Sequence, residues 1–300
     1  METVASKAAL GAALAASRAR RERIALVPTM GALHEGHLAL VDAARRCASR
    51  VVMSIFVNPL QFAPHEDFAA YPRTLDRDAA LARDRGVDIL FTPSVAEMYP
   101  AAARVAVTPV RRDDGSALDA RWEGAARPGH FAGVLTVVAK LLHLASPDVA
   151  LFGRKDLQQV TLIRAMARDL DFPVEIVTVP TVRAPDGLAL SSRNAYLSAA
   201  ERAQALAIPR ALRAMHRAWT ADGRADAGRV TEIGRAVLAE EPAVAVEYLG
   251  VADADTLEPI ATVAEGAVAM IAARVGRTRL IDNIVFERAE APGPDPRMNR

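Results

Sequence analysis

Short apolar runs alternate with longer amphipathic stretches between residues 24 and 180. Runs rich in β-branched and aromatic residues predict buried strands at residues 24–27, 51–56, 87–91, 149–152 and 174–179. The intervening stretches carry apolar residues at helical spacing and predict helices at residues 38–47, 76–85, 134–144 and 157–170. Because helices that alternate with apolar strands cover both faces of a sheet, we predict a Rossmann-like, doubly wound parallel α/β domain for this half of the chain.

The pattern changes after Pro180. A turn signal at residues 184–187 predicts a hairpin, and a capping box at 198–201 predicts a helix that runs toward Trp219 and is broken or kinked at Pro209. Helices followed by consecutive strands indicate a second, smaller α+β domain, with a helix at 227–239 and strands at 244–251, 267–275 and 280–286. We therefore predict one domain over residues 1–181, a second over 182–288, and a disordered Pro-rich tail over 289–300.

The composition argues against several classes of protein. The 300 residues include 37 Lys and Arg against 36 Asp and Glu, and a net charge of +1 argues against a nucleic-acid binder. Cys47 is the only cysteine, so neither an intramolecular disulfide nor a Cys-built zinc site is possible, which fits a reducing compartment. The N-terminal stretch makes a poor signal peptide, and no run approaches about 18 apolar residues. We expect a cytoplasmic protein without a membrane span.

The first predicted strand ends in a loop, residues 28–37, that leads into a helix. Ligands of parallel α/β sheets bind at that edge, and Gly31 and Gly36 allow the backbone to approach one closely. His34 and His37 share one face, and two imidazoles beside free helix N–H groups favour a phosphate site. Two alternatives stay open, a metal-ligand pair and a purely structural pair. Neither a Walker lysine loop nor a GxGxxG motif is present.

Two further strand ends carry polar side chains. Asn58 and Gln61 follow the second strand, where amides can bind a small polar substrate, although Asn-Pro is commonly only a turn. Gly153, Lys155 and Asp156 follow a later strand and open a helix, so the ammonium can neutralise a polyphosphate. The alternative is an exposed lysine beside a capping aspartate. Because a glycine followed by polar groups at a helix start occurs at two strand ends, the phosphate-binding interpretation is favoured over the structural one.

The segment after the predicted hairpin concentrates hydroxyl, guanidinium and amide groups. Ser191, Ser192, Arg193 and Asn194 could close over a triphosphate from the second domain, as a lid; the alternative is an ordinary loop. Other histidines are interpreted as surface or packing residues, and the two tryptophans give no functional signal: His65, His130, His143 and His216; Trp122 and Trp219.

These segments together resemble the pantothenate synthetase family. PTMGALHEGH, FVNPLQF with AYPRTLDRD, GRKDLQQ and DGLALSSRN stand in that family's order and approximate spacing, and the resemblance runs from about residue 20 to residue 288. The family belongs to the nucleotidyl transferases with an HxGH signature. In this chain the serine-rich loop lies where relatives carry a KMSKS-type lid.

The resemblance implies a two-step reaction and a set of site residues. Pantoate attacks the α-phosphorus of ATP to give pantoyl adenylate and pyrophosphate, and β-alanine then displaces AMP. His37 is implied as proton donor, with His34 beside it and Lys155 also catalytic. Gln61 and Gln159 are implied to bind pantoate, and Gln61 also β-alanine. The implied ATP-binding residues are Met30, Gly31, His34, Gly36, His37, Gly153, Arg154, Lys155, Asp156, Val182, Leu190, Ser191, Ser192 and Arg193.

The same resemblance implies Mg²⁺, a cytoplasmic homodimer, and a first domain that binds nucleotide and pantoate beneath a second, lid-forming domain. The metal ligands cannot be read from the sequence, with Asp76 and Asp78 left open. Another HxGH adenylyl- or cytidylyltransferase is the alternative enzyme, although a phosphorylated acceptor would favour cations over the amides of Gln61 and Gln159. A nucleotide-sensing module without turnover is the alternative from another class.

Overall fold

The computed structural model describes residues 1–288 apart from residues 65, 102, 223 and 224. His65 and the predicted tail at 289–300 therefore lie outside the described residues. The chain divides into two compact units, Met1–Arg202 and a second that begins at Ala203. Among the described helices, none has both the length and the apolar character needed to cross a membrane.

The first unit is built on six parallel strands. In chain order its elements are β1 (Glu2–Val4), α1 (Lys7–Ala19), β2 (Ile24–Thr29), α2 (Glu35–Cys47), β3 (Arg50–Ile55), α3 (Leu75–Asp84), β4 (Ile89–Phe91), α4 (Val95–Met98), α5 (Trp122–Ala126), α6 (His130–Ala145), β5 (Val149–Gly153), α7 (Leu157–Asp169) and β6 (Glu175–Val179). The strand order is β1-β4-β3-β2-β5-β6. The predicted doubly wound α/β fold is confirmed.

Both faces of this sheet are buried. Along β2, Ile24 and Leu26 pack in a cluster with residues of α1 and α6, whereas Ala25 and Val27 pack in a second cluster with residues of α2. The chain leaves β2 toward β3 on one side, while β5 lies on the other side of β2. The loops after β2 and β5 therefore diverge at a topological switch point, where ligands of this architecture bind.

The second unit is α+β, as predicted. A helix α8 (Ala199–Ala205) spans the division, and the unit continues with α9 (Ala207–Asp222), β7 (Ala225–Asp226), α10 (Ala227–Ala239), β8 (Val244–Ala252), β9 (Thr262–Val263), β10 (Val268–Val275) and β11 (Thr278–Val285). The main sheet is antiparallel, in the order β11-β10-β8. The helix break falls at Leu206, so Pro209 lies in the first turn of α9, where its missing N–H costs no hydrogen bond.

The boundary between the units differs from the predicted one at residue 181. Residues 182–202 belong to the first unit, and two of their side chains bond to it: Ser192 Oγ donates to the carbonyl of Ala32 at 3.2 Å, and the Tyr196 hydroxyl donates to the carbonyl of Ala70 at 3.2 Å. The predicted hairpin is present in a minimal form, with Leu190 N–H donating to the carbonyl of Val182 at 3.0 Å.

Candidate active site

The loop after β2 is held in a left-handed bend by one buried carboxylate. Gly31 has φ +83° and Ala32 has φ +50°, and a Cβ on Gly31 would lie 3.0 Å from Asp78 Oδ2. Asp78 is 1% exposed and accepts the N–H groups of Ala32 and Leu33, each at 2.8 Å. Asp78, left open as a metal ligand, therefore uses its two oxygens to shape the loop.

Two histidines form the cap of α2. His34 is the N-cap, and its Nδ1 accepts the N–H of Gly36 at 3.1 Å, while Nδ1 of His37 accepts the N–H of His34 at 3.4 Å. The ring centroids are 4.1 Å apart. Because a backbone N–H can only donate, Nδ1 is the acceptor in each ring and the ring proton lies on Nε2.

Burial keeps both rings uncharged. It lowers the pKa of His37 to about 3, with the neighbouring His34 and the Lys155 ammonium acting in the same direction. It lowers the pKa of His34 to about 4, and Lys155 again adds to the effect. Both imidazoles are therefore neutral at physiological pH, and each offers an Nε2–H donor.

The anion site differs in one respect from the predicted one. The N–H of Gly36 is bonded to the His34 ring, and the N–H of His37 is bonded to the carbonyl of His34 at 2.8 Å. These helix N–H groups are not free. Positive character is supplied instead by the imidazole Nε2–H groups and by Lys155, which is 19% exposed and lies 3.6 Å from an Asp156 carboxylate oxygen.

A cleft of about 230 Å³ joins the loops after β2 and β5 within the first unit. Gly31 and Arg154 do not line it. The predicted residues that do are Met30, His34, Gly36, His37, Gln61, Gly153, Lys155, Asp156, Gln159, Val182, Leu190, Ser191, Ser192 and Arg193.

Gln61 is held by a buried amide. Gln61 is the last residue of a 3₁₀ turn, Pro59–Gln61, which follows Asn58. This is the turn expected from the Asn-Pro sequence. Asn58 is 1% exposed and donates through Nδ2 to Gln61 Oε1 at 3.2 Å, and Gln61 Nε2 lies 3.1 Å from the sulfur of Met30. The NH₂ group is the only donor of this side chain, and since Oε1 already accepts from Asn58, we expect Gln61 to bind a ligand oxygen through NH₂.

Adjacent glutamines on α7 have different surroundings. Gln159 lines the cleft. Gln158 is 3% exposed, donates to the carbonyls of Leu118 and Arg121, and accepts the N–H of Glu123 at 2.8 Å. Gln158 therefore anchors the segment before α6, and only Gln159 is available to a ligand.

Arg193 is paired within the first unit. Its guanidinium makes two bonds to Asp67, Nε to Oδ2 at 3.0 Å and Nη2 to Oδ1 at 2.8 Å. The sequence placed this residue on the second domain as part of a closing lid. Because Arg193 and Asp67 both belong to the first unit, the guanidinium already lies at the cleft wall.

Several cleft residues were not predicted. His130, expected to be a surface or packing residue, lines the cleft with Arg127. The Arg-Pro-Gly-His stretch that leads into α6 was the available signal, since cationic and imidazole groups flank a turn at the start of a helix. The apolar wall gave no signal, because its residues look like any buried face of a helix: Val134, Val137, Val138 and Leu141. Elsewhere, His143 is exposed and His216 stacks on Phe286.

The N-cap role of His34 leads to a stability prediction. His34→Ala leaves the N–H of Gly36 without its partner and is expected to reduce the free energy of unfolding by about 0.5–2 kcal/mol. His34→Asn supplies one of the best N-cap side chains and is expected to restore most of that loss while still lacking the imidazole. Urea unfolding measures both. An Asn variant as unstable as the Ala variant would contradict the capping role.

Comparison with known proteins decides the family. The sequence model described as "Pantoate-beta-alanine ligase" matches residues 2–285. The chain belongs to the pantoate–beta-alanine ligase family. This ligase is 54% identical over 268 residues to the pantothenate synthetase of Acidobacterium capsulatum, covering 89% of this chain and 87% of the relative. It is 54% identical over 280 residues to that of Mycolicibacterium vanbaalenii, covering 93% and 86%.

Solved structures agree in fold with this ligase. Pantothenate synthetase from Thermus thermophilus superposes with a TM-score of 0.89 at 48% identity, over 96% of this chain and 100% of that one. Pantoate-beta-alanine ligase from Francisella tularensis, described as complexed with beta-gamma ATP and beta-alanine, superposes with a TM-score of 0.78 at 31% identity, over 97% and 100%. The family resemblance seen in the sequence motifs is confirmed.

Proposed function

We propose that this ligase condenses (R)-pantoate with β-alanine to give pantothenate, with ATP converted to AMP and pyrophosphate through a pantoyl adenylate. One observation carries the proposal: two neutral imidazoles and Lys155 lie at the carboxyl ends of adjacent strands, in the same cleft as Gln61 and Gln159. An ammonium beside neutral imidazole N–H donors suits a polyphosphate, and amides suit a hydroxylated acid. The complex described for the Francisella tularensis ligase supports ATP and β-alanine as ligands.

In the first step, a pantoate carboxylate oxygen bonds to the α-phosphorus as the bond to pyrophosphate breaks. Such in-line displacement needs positioning and charge stabilisation more than covalent help from the protein. His34 and His37 donate Nε2–H bonds to phosphate oxygens, and Lys155 neutralises charge. Because the pKa of His37 is about 3, the ring acts as a hydrogen-bond donor and not as a cationic acid.

In the second step, the β-alanine amine attacks the acyl carbon and AMP leaves. Water can hydrolyse the adenylate, so the apolar side of the cleft protects this intermediate by excluding water. Val134, Val137, Val138 and Leu141 of α6 supply that side and match the dimethyl carbon of pantoate, whereas the amides of Gln61 and Gln159 match its oxygens. Arg193 adds a guanidinium at the nucleotide end once a phosphate replaces Asp67 as its partner.

Mg²⁺ enters the proposal as the ion that accompanies the triphosphate. Within the described part of the chain, no three His, Cys, Asp or Glu side chains are grouped to hold a metal ion. We therefore expect phosphate oxygens to supply most of its contacts, with Asp76 remaining open. The homodimer, the cytoplasmic location and a lid role for the second unit stay predictions.

The two glutamines give a selective prediction. Gln159→Ala and Gln61→Ala are each expected to weaken pantoate by about 1–3 kcal/mol, because a substrate oxygen loses its donor, while ATP affinity is nearly unchanged. Calorimetry with each ligand measures this. Equal losses for both ligands would indicate a collapsed cleft and contradict the assignment.

Isotope exchange between labelled pyrophosphate and ATP tests the reaction. Exchange is expected to require pantoate and to proceed without β-alanine, because the adenylate forms first. Exchange that needs β-alanine would exclude a free adenylate step. Pyrophosphate release with a phosphorylated acceptor instead of pantoate would favour another nucleotidyl transferase, and ATP binding without turnover would favour a sensor.

A further inference from the structure

The main-chain carbonyl of Gln61 is bonded by two side chains that the reaction above does not use. His130 Nδ1 lies 2.8 Å from this oxygen, and Arg127 Nη2 donates to it at 3.3 Å. Both residues line the cleft. His130 and Arg127 therefore hold the backbone of Gln61, the residue whose side-chain amide is proposed to bind pantoate. By holding that backbone they help to determine the position of the amide.

The neighbouring guanidinium fixes the state of the His130 ring. Arg127 Nη1 lies 3.1 Å from His130 Nε2, and a guanidinium nitrogen can only donate. Nε2 is therefore the acceptor, and the ring proton lies on Nδ1, where it is donated to the carbonyl of Gln61. This tautomer is the opposite of that in His34 and His37. With both nitrogens engaged, the ring offers no polar atom to a substrate.

Arg127 is in turn held by a carboxylate. Its Nε and Nη2 donate to the two oxygens of Glu66, each at 2.7 Å, and the Arg127 side chain is only 12% exposed. Burial lowers the pKa of His130 to about 4, and the Arg127 charge acts in the same direction, whereas the hydrogen bond to the Gln61 carbonyl and the charges of Glu123 and Glu66 oppose it. The ring thus stays neutral beside the guanidinium.

The 3₁₀ turn that carries Gln61 packs closely against α6. A Cβ on Gly133, in the first turn of α6, would overlap the carbonyl oxygen of Leu60. The start of α6 therefore lies directly against the backbone that carries Gln61. Asn58 ties the Gln61 side chain to the same helix, because its Nδ2 donates to Gln61 Oε1 at 3.2 Å and to the carbonyl of Gly133 at 3.0 Å.

We propose that His130 is a positioning residue, oriented by the Arg127–Glu66 pair, that holds the Gln61 carbonyl and thereby sets the Gln61 amide for pantoate. The inference rests on the proposed function in that Gln61 binds this substrate. His130 contacts no reacting atom in this arrangement and acts only through Gln61.

Three variants test the proposal by steady-state kinetics. His130→Leu removes the donor and is expected to raise the KM for pantoate by about tenfold or more, with the KM for ATP changed less than about twofold, because misplacement of one substrate-binding group is costly. His130→Asn can place an amide N–H near the position of Nδ1 and is expected to recover most of the loss. His143→Leu, an exposed histidine on the same helix, is the control and is expected to be unchanged.

A His130→Asn variant no better than His130→Leu would overturn the proposal, as would equal losses for pantoate and ATP. Nitrogen-15 NMR of the histidine rings gives a second readout that needs no turnover. The signal that disappears in His130→Asn is expected to report a proton on Nδ1, and a proton on Nε2 would overturn the proposal. Failure of the unaltered protein to use pantoate would instead count against the proposed function.

Discussion

Replacement of His37 by alanine is expected to slow adenylate formation by about 10²-fold or more. His37 lines the cleft at the first turn of α2, and loss of one such N–H donor to developing charge costs about this much in other enzymes. His37→Gln keeps an N–H near the same place and is expected to recover part of the rate. Single-turnover adenylation, measured with ATP and pantoate alone, is the assay.

The pH dependence sharpens this expectation. Because the pKa of His37 is about 3 and that of His34 about 4, both rings remain neutral as the pH falls from 8 to 5, and the adenylation rate is expected to show no histidine inflection near 6.5. An unchanged rate in His37→Ala would contradict the phosphate-site assignment. A rate that falls as the pH rises through about 6.5, and that does so only while His37 is present, would show that the charged imidazole is required.

Loss of Lys155 is expected to lower kcat/KM for ATP by about 10²-fold, since a cation that neutralises phosphate charge acts from the first encounter with nucleotide. The ammonium lies near both imidazoles, as its effect on their pKa values indicates. Lys155→Met removes the charge and preserves much of the apolar stem. Stopped-flow binding of a fluorescent ATP analogue separates this loss from a slower chemical step.

Arg168→Met provides the matched control for Lys155. Arg168 lies in the last turn of α7, the helix that follows Lys155, and its side chain is 76% exposed beside Asp169. The substitution removes the same unit of charge from the first unit without touching the cleft, so ATP affinity is expected to be unchanged. Normal ATP binding by Lys155→Met, with pantoate affinity lost instead, would contradict the assignment of Lys155 to the nucleotide.

The sheet was predictable from the sequence because β2, β3 and β5 are apolar runs buried on both faces. The edge strand Glu2–Val4 and the helix Lys7–Ala19 were not identified, since three residues make no pattern and an Ala-rich stretch carries a weak one. The boundary between the units follows Arg202 and not residue 181, since residues 182–202 contact the first unit through long-range contacts that the hydrophobic pattern does not encode.

The site was predictable where residues follow strand ends. His34, His37 and Lys155 all line the cleft, but the ring states depend on which N–H group faces which nitrogen, and that is a property of the folded loop. The place of His130 in the cleft was missed for the same reason, because its partners are 3 and 69 residues away along the chain. Spacing alone cannot reveal such a contact.

The histidine cap also has an electrical consequence for α2. The peptide dipoles of a helix sum to roughly half a positive elementary charge at its N-terminus. The Gly36 N–H points this field at Nδ1 of His34, and chains of hydrogen bonds polarise one another, so the opposite Nε2–H becomes a stronger donor. The imidazole thus carries the positive end of the helix dipole one ring width further, to Nε2–H. Because the ring stays neutral near pH 7, this positive potential does not change with pH there.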